Sequence, residues 1–467
     1  MTGSQLTPTA RTASQPWLIK GVQPAGGPPT DFILAGGRIT EAGTGLTAAG
    51  AQVLDGTGLI ALPGLVDLHT HLREPGREDA ETVLTGTQAA ALGGFTAVHA
   101  MANTDPVADT AGVVEQIWRL GQQAGLCDVR PVGAVTSGLG GSQLAELGAM
   151  ADSAARVRIF SDDGRCVSDA MLMRRALEYV KAFGGVIAQH AQEPRLTDGA
   201  QLNEGEMSGL LGLTGWPAVA EEAIIARDCL LAAHVGSALH ICHVSTAGSV
   251  EIIRWAKSKG WRVTAEVTPH HLLLTDELAA GYDPAYKVNP PLRTQADVDA
   301  LRAGLADGTI DCVATDHAPH PAEDKETEWQ VAAFGMTGLE TALRVVHAAM
   351  VDTGLLDWAG VADRMSVRPA AIGQLDGSAA TTGAATTGAA ATSGTSSPGA
   401  LLHGRRLEAG SPANLVLYDP AARSVVDPDQ HASRSRNTPF AGMELPGQVI
   451  ATFLRGEPTV LDGKLAR

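Results

Sequence analysis

The sequence predicts an α/β protein: a (β/α)8, TIM-like barrel with a small β-sandwich domain built from both chain ends. Three observations predict it. From about Leu65 to Gly373, short apolar strand-like runs alternate with longer helical ones, the texture of repeated β-α units. Eight such runs fall within roughly 250 residues, as a closed barrel needs. Extended runs broken by glycines recur at both ends of the chain.

Taken in order, residues 1–30 are rich in Thr, Gln, Pro and Gly and read as a flexible extension without a signal peptide's apolar stretch. Asp31–Thr40 and Ala51–Gly64 are strand-turn-strand segments, as are Ala413–Pro420 and Gln448–Leu465. Residues 31–63 and 401–467 therefore form one composite β-domain. The barrel occupies 64–376. Its strands are expected within Gly64–Leu72, Phe95–Thr104, Cys127–Thr136, Arg156–Gly164, Gly185–Ala191, Ala238–Thr246, Arg262–His271 and Ile310–Pro319. Asp169–Phe183 and Ala218–Val235 read as helices between them. A doubly wound sheet is the competing architecture, but no G-x-G-x-x-G follows the first strand. Residues 377–400 contain only small residues and one proline. Such a stretch cannot bury enough apolar surface to offset its ordering entropy, so it reads as a disordered insertion.

Composition narrows the function. Lys plus Arg number 34 against 51 Asp plus Glu, a net charge of −17, which argues against a nucleic-acid binder. Five scattered cysteines without a C-x-x-C pair form neither a disulfide framework nor a zinc ribbon, which suits a reducing cytoplasm. No run of about 18 apolar residues is present, so no membrane partner is expected.

Polar residues gather at the C-terminal ends of the expected strands, where barrel active sites lie. The first strand ends in His69-Thr70-His71, and residues i and i+2 share a strand face, so both rings can reach one ion. Alone, an H-x-H is weak, because most such histidines are satisfied core residues. Here His190, His243 and Asp316 close three other strands, and Asp162 and Asp163 close the fourth. So many donors at one barrel end point to metal-assisted hydrolysis. A nitrogen and oxygen donor set suits Zn²⁺, with Mn²⁺, Co²⁺ or Fe²⁺ as substitutes. The donors suffice for two ions bridged by a carboxylate.

The string VDLHTHLREPG (Val66–Gly76) resembles the opening motif of the dihydroorotases, within the cyclic amidohydrolase superfamily. The resemblance continues in order through MANTDP (Met101–Pro106), FSDDG (Phe160–Gly164), HICHVST (His240–Thr246), EVTPHHL (Glu266–Leu272), YKVNPPLR (Tyr286–Arg293), DCVATDHAPH (Asp311–His320) and FGMTGLE (Phe334–Glu340). It covers nearly the whole chain except the N-terminal extension and the 377–400 insertion, and it points to the long, type I bacterial form. It implies that His69, His71 and Asp316 hold one ion, that His190 and His243 hold a second, and that Asp163 rather than Asp162 bridges them. One or two Zn²⁺ ions per subunit are implied, two being favoured. Arg73 and Asn103 match positions that grip a substrate carboxylate, and His320 matches a third substrate contact. Asn289 and the backbone of Phe334 and Gly335 match groups that bond the ring amides.

The implied reaction is the reversible cyclisation of N-carbamoyl-L-aspartate to L-dihydroorotate plus water, in pyrimidine synthesis. An activated hydroxide attacks the ring carbonyl, and Asp316 is general acid and base. Two alternatives stand beside it. Hydantoinases and allantoinases usually bridge their metals with a carboxylated lysine at the end of strand four, where this chain has SDDG. A non-catalytic scaffold for aspartate carbamoyltransferase would have lost metal ligands, and every expected ligand is present. The partners implied are a small-molecule substrate, with a homo-oligomer or a complex with aspartate carbamoyltransferase left open.

Overall fold

The computed structural model describes residues 15–377 and 402–467. The expected disordered insertion, apart from Gly377, and residues 1–14 of the expected extension lie outside the described residues.

Eight parallel strands form the centre of the molecule. Leu65–Thr70 pairs with Phe95–Ala100, which pairs with Asp128–Pro131. Ile159–Phe160, Val186–Gln189, Ala238–Ile241, Val263–Val267 and Cys312–Val313 pair in that order in a second sheet. Parallel bridges Gly133–Phe160 and Thr70–His317 join the two sheets at both seams, so the pairing order returns to its start. The last seam is reinforced by Asp67 in the first strand. Its buried carboxylate accepts hydrogen bonds from the Thr315 N–H at 3.1 Å and the Thr315 hydroxyl at 2.6 Å. Inside the ring, Leu68, Met101, Val132, Ile159, Ala188, Cys242, Cys312 and Ala314 form one buried cluster. These residues lie in or next to seven of the eight strands.

The connecting helices follow their sequence signals. Ala170–Lys181 and Val219–Val235 fall inside the expected helical segments. Asp169 caps the first of these by accepting from the Leu172 N–H at 2.7 Å. Thr82 and Thr85 form a reciprocal capping box at the start of Val83–Leu92, the helix that follows the first parallel strand. Among the described residues, no helix is long and apolar enough to cross a membrane.

The two chain ends join one sheet of nine strands. Ile60–Pro63 from the N-terminal part pairs antiparallel with Leu415–Tyr418 from the C-terminal part. Trp17 and Phe453 meet edge-on at 5.5 Å although two strands separate theirs in the pairing order. Neighbouring strands lie about 4.8 Å apart, so this contact requires the sheet to curl. Phe32, Ile19, Leu415 and Leu417 fill the fold of that curl. The expected β-sandwich is thus one continuous sheet curved over its own core.

One boundary must be corrected. Residues 1–30 are not a flexible extension throughout, because Trp17–Pro24 is a strand with Trp17, Leu18, Ile19 and Val22 buried. It pairs with Thr30–Ala35 and with Gln52–Asp55, so the β-domain begins near residue 17 rather than 31. The Thr/Gln/Pro/Gly bias of the segment as a whole hid a short apolar run, WLIKGV, that earns its order by pairing.

Candidate metal centre

The C-terminal ends of the parallel strands deliver all six expected donors to one place. His69 and His71 sit at the end of the first strand, with Asp163 after the fourth. His190 directly follows Val186–Gln189, His243 follows Ala238–Ile241, and Asp316 follows Cys312–Val313. All six are 5 % exposed or less, so no bulk water screens them. Arg73, His243 and Asp316 hold positive φ angles of 59°, 31° and 47°. Non-glycine residues adopt such angles at a cost, and they cluster where a side chain must be aimed.

Asp163 stands at the middle. Its Oδ1 lies 3.2 Å from His69 Nε2 and 3.3 Å from both His190 Nδ1 and His243 Nε2, while Oδ2 lies 3.3 Å from His71 Nε2. Asp316 Oδ1 is 3.1 Å from His71 Nε2 and 3.4 Å from His69 Nε2. Two donor groups result: His69, His71, Asp163 and Asp316, and then Asp163, His190 and His243. They share one residue, Asp163.

The chemistry of these donors fits a cation. His69 Nε2 is buried and makes no hydrogen bond, although oxygen atoms surround it. His190 Nδ1 and His243 Nε2 lie 2.8 Å apart. His190 presents its other nitrogen, Nε2, to Gln192 Oε1 at 2.8 Å, which leaves Nδ1 as a lone pair facing the centre. In the same way His69 Nδ1 donates to Glu266 Oε1 at 2.8 Å, and His71 Nδ1 to Asn103 Oδ1 at 2.9 Å. Such outer partners fix a ring's tautomer and orientation.

Electrostatics agree with an acidic, acceptor-rich site. Burial opposes the charge on Asp163, but the surrounding imidazoles of His69, His190 and His243 outweigh burial and hold its carboxyl well below the usual range. Burial likewise opposes the charge on Asp316, and His69 and His71 outweigh it, bringing its pKa to about 2.

The expected substrate residues line the same end. Arg73 donates through Nε to the Pro319 carbonyl at 3.0 Å, and its guanidinium lies 3.4 Å from His320 Nε2. Burial brings the Arg73 pKa down to about 10. His320 Nε2 donates to the Phe334 carbonyl at 2.9 Å. Asn289 donates to Gln192 Oε1 at 3.1 Å, and its own Oδ1 is buried without a partner. Gly335 departs from expectation. Its N–H donates to the Lys287 carbonyl at 3.0 Å, and its carbonyl accepts from Lys325 and Asn437, so its polar groups serve the chain's own framework.

Asp162 turns away from the centre and accepts from the Val135 and Thr136 N–H groups at 2.8 and 2.9 Å and from the Thr136 hydroxyl. It ties strand three's loop to strand four's. The sequence reading missed Glu266, Gln192 and Asn437. Glu266 had a signal: it is a lone carboxylate inside an apolar strand, and its two oxygens meet His69 and His240. Glu266→Gln is expected to weaken metal binding about 10- to 100-fold. Competition with a chelator, read by mass spectrometry of bound metal, checks this; unchanged affinity would remove Glu266 from the support of His69.

A family model described as Dihydro-orotase-like matches residues 58–249. The dihydroorotase of Streptomyces coelicolor is 66 % identical over 448 residues, covering 96 % of this chain and 99 % of its own. That of Mycobacterium tuberculosis is 54 % identical over 450 residues, covering 96 % and 99 %. Among solved structures, the L-hydantoinase (dihydropyrimidinase) of Arthrobacter aurescens aligns with a TM-score of 0.80 at 24 % identity, over 97 % of each chain. The dihydropyrimidinase of Brevibacillus agri aligns at 0.78 with 22 % identity, over 97 % of this chain and 96 % of its own. At such identities the structures share the fold and nothing finer is carried from them.

Proposed function

The chain belongs to the dihydroorotase family, and we propose that its reaction runs at the Asp163 centre, with Asp316 carrying the proton. The reaction is the reversible cyclisation of N-carbamoyl-L-aspartate to L-dihydroorotate plus water, a step of pyrimidine biosynthesis. The observation that carries the proposal is the sharing of Asp163 between two donor groups.

His69, His71 and Asp316 would hold one divalent ion and His190 and His243 a second, with Asp163 common to both donor groups. The imidazole and carboxylate donors favour Zn²⁺. Bound cations would supply Lewis acidity toward a carbonyl oxygen and make a water molecule acidic enough to react at neutral pH. Asp316 is ionised at neutral pH. In the hydrolytic direction its carboxylate takes the proton of the attacking water and gives it to the departing ring nitrogen. In the biosynthetic direction it removes the proton from the attacking ureido nitrogen and passes it to the departing carboxylate oxygen, which leaves as water. Arg73, Asn103 and His320 orient the substrate carboxylate, and the unpartnered Asn289 Oδ1 accepts from a ring N–H. These groups move no proton; they hold the reacting atoms in register, and misplacement costs rate steeply.

The returning pairing order and the shared fold support reading residues 64–376 as a (β/α)8 barrel and the chain ends as its composite β-domain. The complete donor set favours an enzyme over a scaffold that supports aspartate carbamoyltransferase. A carboxylate from Asp163, where a hydantoinase would use a modified lysine, favours dihydroorotate over hydantoin. Scattered free cysteines favour a cytoplasmic enzyme. Turnover of dihydroorotate, hydantoin and allantoin, with metal content measured on the same sample, tests the reading. Dihydroorotate alone should be hydrolysed; faster turnover of hydantoin would overturn it.

Arg73→Lys should cripple turnover while the metals stay bound. A lysine point charge cannot reproduce a planar, two-pronged contact with a carboxylate. The expected loss in kcat/KM is about 2–4 kcal/mol, the range for breaking one side of a desolvated charge pair. Steady-state kinetics beside metal analysis checks this, and near-normal kinetics would remove Arg73 from the site.

A further inference from the structure

Two residues outside the catalytic set converge on the loop that carries His320. Asn437 is 7 % exposed and comes from the segment between the long terminal strands Leu415–Val425 and Glu444–Leu454. Its side chain uses both ends. Nδ2 donates to the carbonyls of Ala318 at 3.0 Å and Gly335 at 3.2 Å, and Oδ1 accepts from the His320 N–H at 3.1 Å. Its carbonyl accepts from the Thr337 N–H at 3.1 Å. Lys325 is 6 % exposed and donates to three carbonyls, those of Gly335 at 2.9 Å, Ala333 at 3.0 Å and Lys287 at 3.2 Å. Both residues therefore meet at the Gly335 carbonyl.

The segment that brings Asn437 is itself fixed. Glu81, wholly buried at the base of the first helix, accepts from the Ser433 hydroxyl and from the Arg434 N–H at 3.0 Å. Ser435 donates to the Ala80 carbonyl at 2.7 Å, and Glu340 accepts from the Ala432 and Ser433 N–H groups, each at 3.2 Å. Across the loop the fit is tight. Gly335 holds φ 142°, and a Cβ there would lie 2.8 Å from His320 Nε2 and 2.9 Å from the Ala318 Cβ. Pro319 lies between the two clamped residues Ala318 and His320, and its carbonyl receives Arg73 Nε. The relative position of residues 318–320 and 333–335 thus decides where both His320 and Arg73 point.

We propose that Asn437 and Lys325 are positioning residues for the carboxylate end of the substrate site, clamping residues 318–320 against 333–335. The proposal rests on the reading of Arg73 and His320 as the groups that grip the substrate carboxylate. The clamp touches neither the metal donors nor the reacting atoms. Its loss therefore falls on substrate binding and leaves the proton-transfer step in place.

The test uses the full-length, metal-loaded protein with Asn437→Ala, Asn437→Ser, Lys325→Met, Lys325→Arg and, as a control, Arg73→Lys. We expect Asn437→Ala and Lys325→Met to raise KM for dihydroorotate about tenfold, the size of one net buried hydrogen bond, with kcat within about threefold. Metal content stays unchanged. Lys325→Arg and Asn437→Ser, which keep donors at these positions, recover part of the loss and serve where the larger truncation does not fold. Unchanged KM in Asn437→Ala and Lys325→Met, beside an impaired Arg73→Lys, overturns the clamp alone. Near-normal Arg73→Lys overturns the reading beneath it. Loss of metal or of kcat in parallel with KM also overturns the clamp, because the two residues would then support the whole site.

Discussion

Asp163→Ala is expected to lose bound metal and turnover together, with no recovery in bicarbonate. Asp163 is the sole residue common to both donor groups, with one oxygen facing His69, His190 and His243 and the other facing His71. Without it, His190 and His243 lose the carboxylate between them and the other pair, and Asp316 faces only His69 and His71. Losing an outer partner of a metal ligand already costs about 10- to 100-fold in affinity, so loss of the bridge exceeds that. The unaltered protein should regain full activity from the metal-free state with zinc in bicarbonate-free buffer. No lysine lies between Arg156 and Asp169, around the end of strand four, and Lys181 turns its ammonium to the Val235 carbonyl at 2.7 Å. Metal analysis and reactivation kinetics check both expectations. Bicarbonate-dependent reactivation would overturn the direct carboxylate bridge.

Asp316→Asn should lower kcat by about 10²- to 10⁴-fold, the usual contribution of a positioned general acid and base. Asparagine keeps the size of the side chain and a carbonyl oxygen that can face His69 and His71. It cannot take up a proton at neutral pH. KM should move far less than kcat, which separates this variant from Arg73→Lys. Steady-state kinetics with metal analysis on the same preparation decides the case. A kcat within tenfold of the unaltered protein would assign the proton transfer elsewhere.

The donors were legible in the sequence because a strand alternates its faces. His69 and His71 share a face by register alone, and His190, His243 and Asp316 each follow a short apolar run that can be recognised as a strand. Helices such as Ala170–Lys181 were equally legible, since a capping Asp169 and an apolar stripe are local signals. The strand Trp17–Pro24 was not. Its neighbours are polar and Gly-rich, and its order comes from partners at residues 30–35 and 52–55.

Asn437 marks the same limit at the site. In the sequence it is one polar residue in a loop of the terminal domain, 117 residues from His320. Only the return of that loop to the strand ends makes it a hydrogen-bonding partner of the substrate loop. Gly335 shows the converse, since its backbone groups are taken up by Lys287, Lys325 and Asn437, which no local pattern announces. The sequence by itself determined the parallel-strand core and the order of the candidate donors, because periodicity and strand register are encoded in short stretches. The choice of Asp163 over Asp162 came from the resemblance of FSDDG to a family motif. Tertiary structure alone decided how the terminal sheet curls and which distant residues hold the site in shape. Those depend on hydrogen bonds between segments far apart in the chain, whose partners exist only once the backbone has closed.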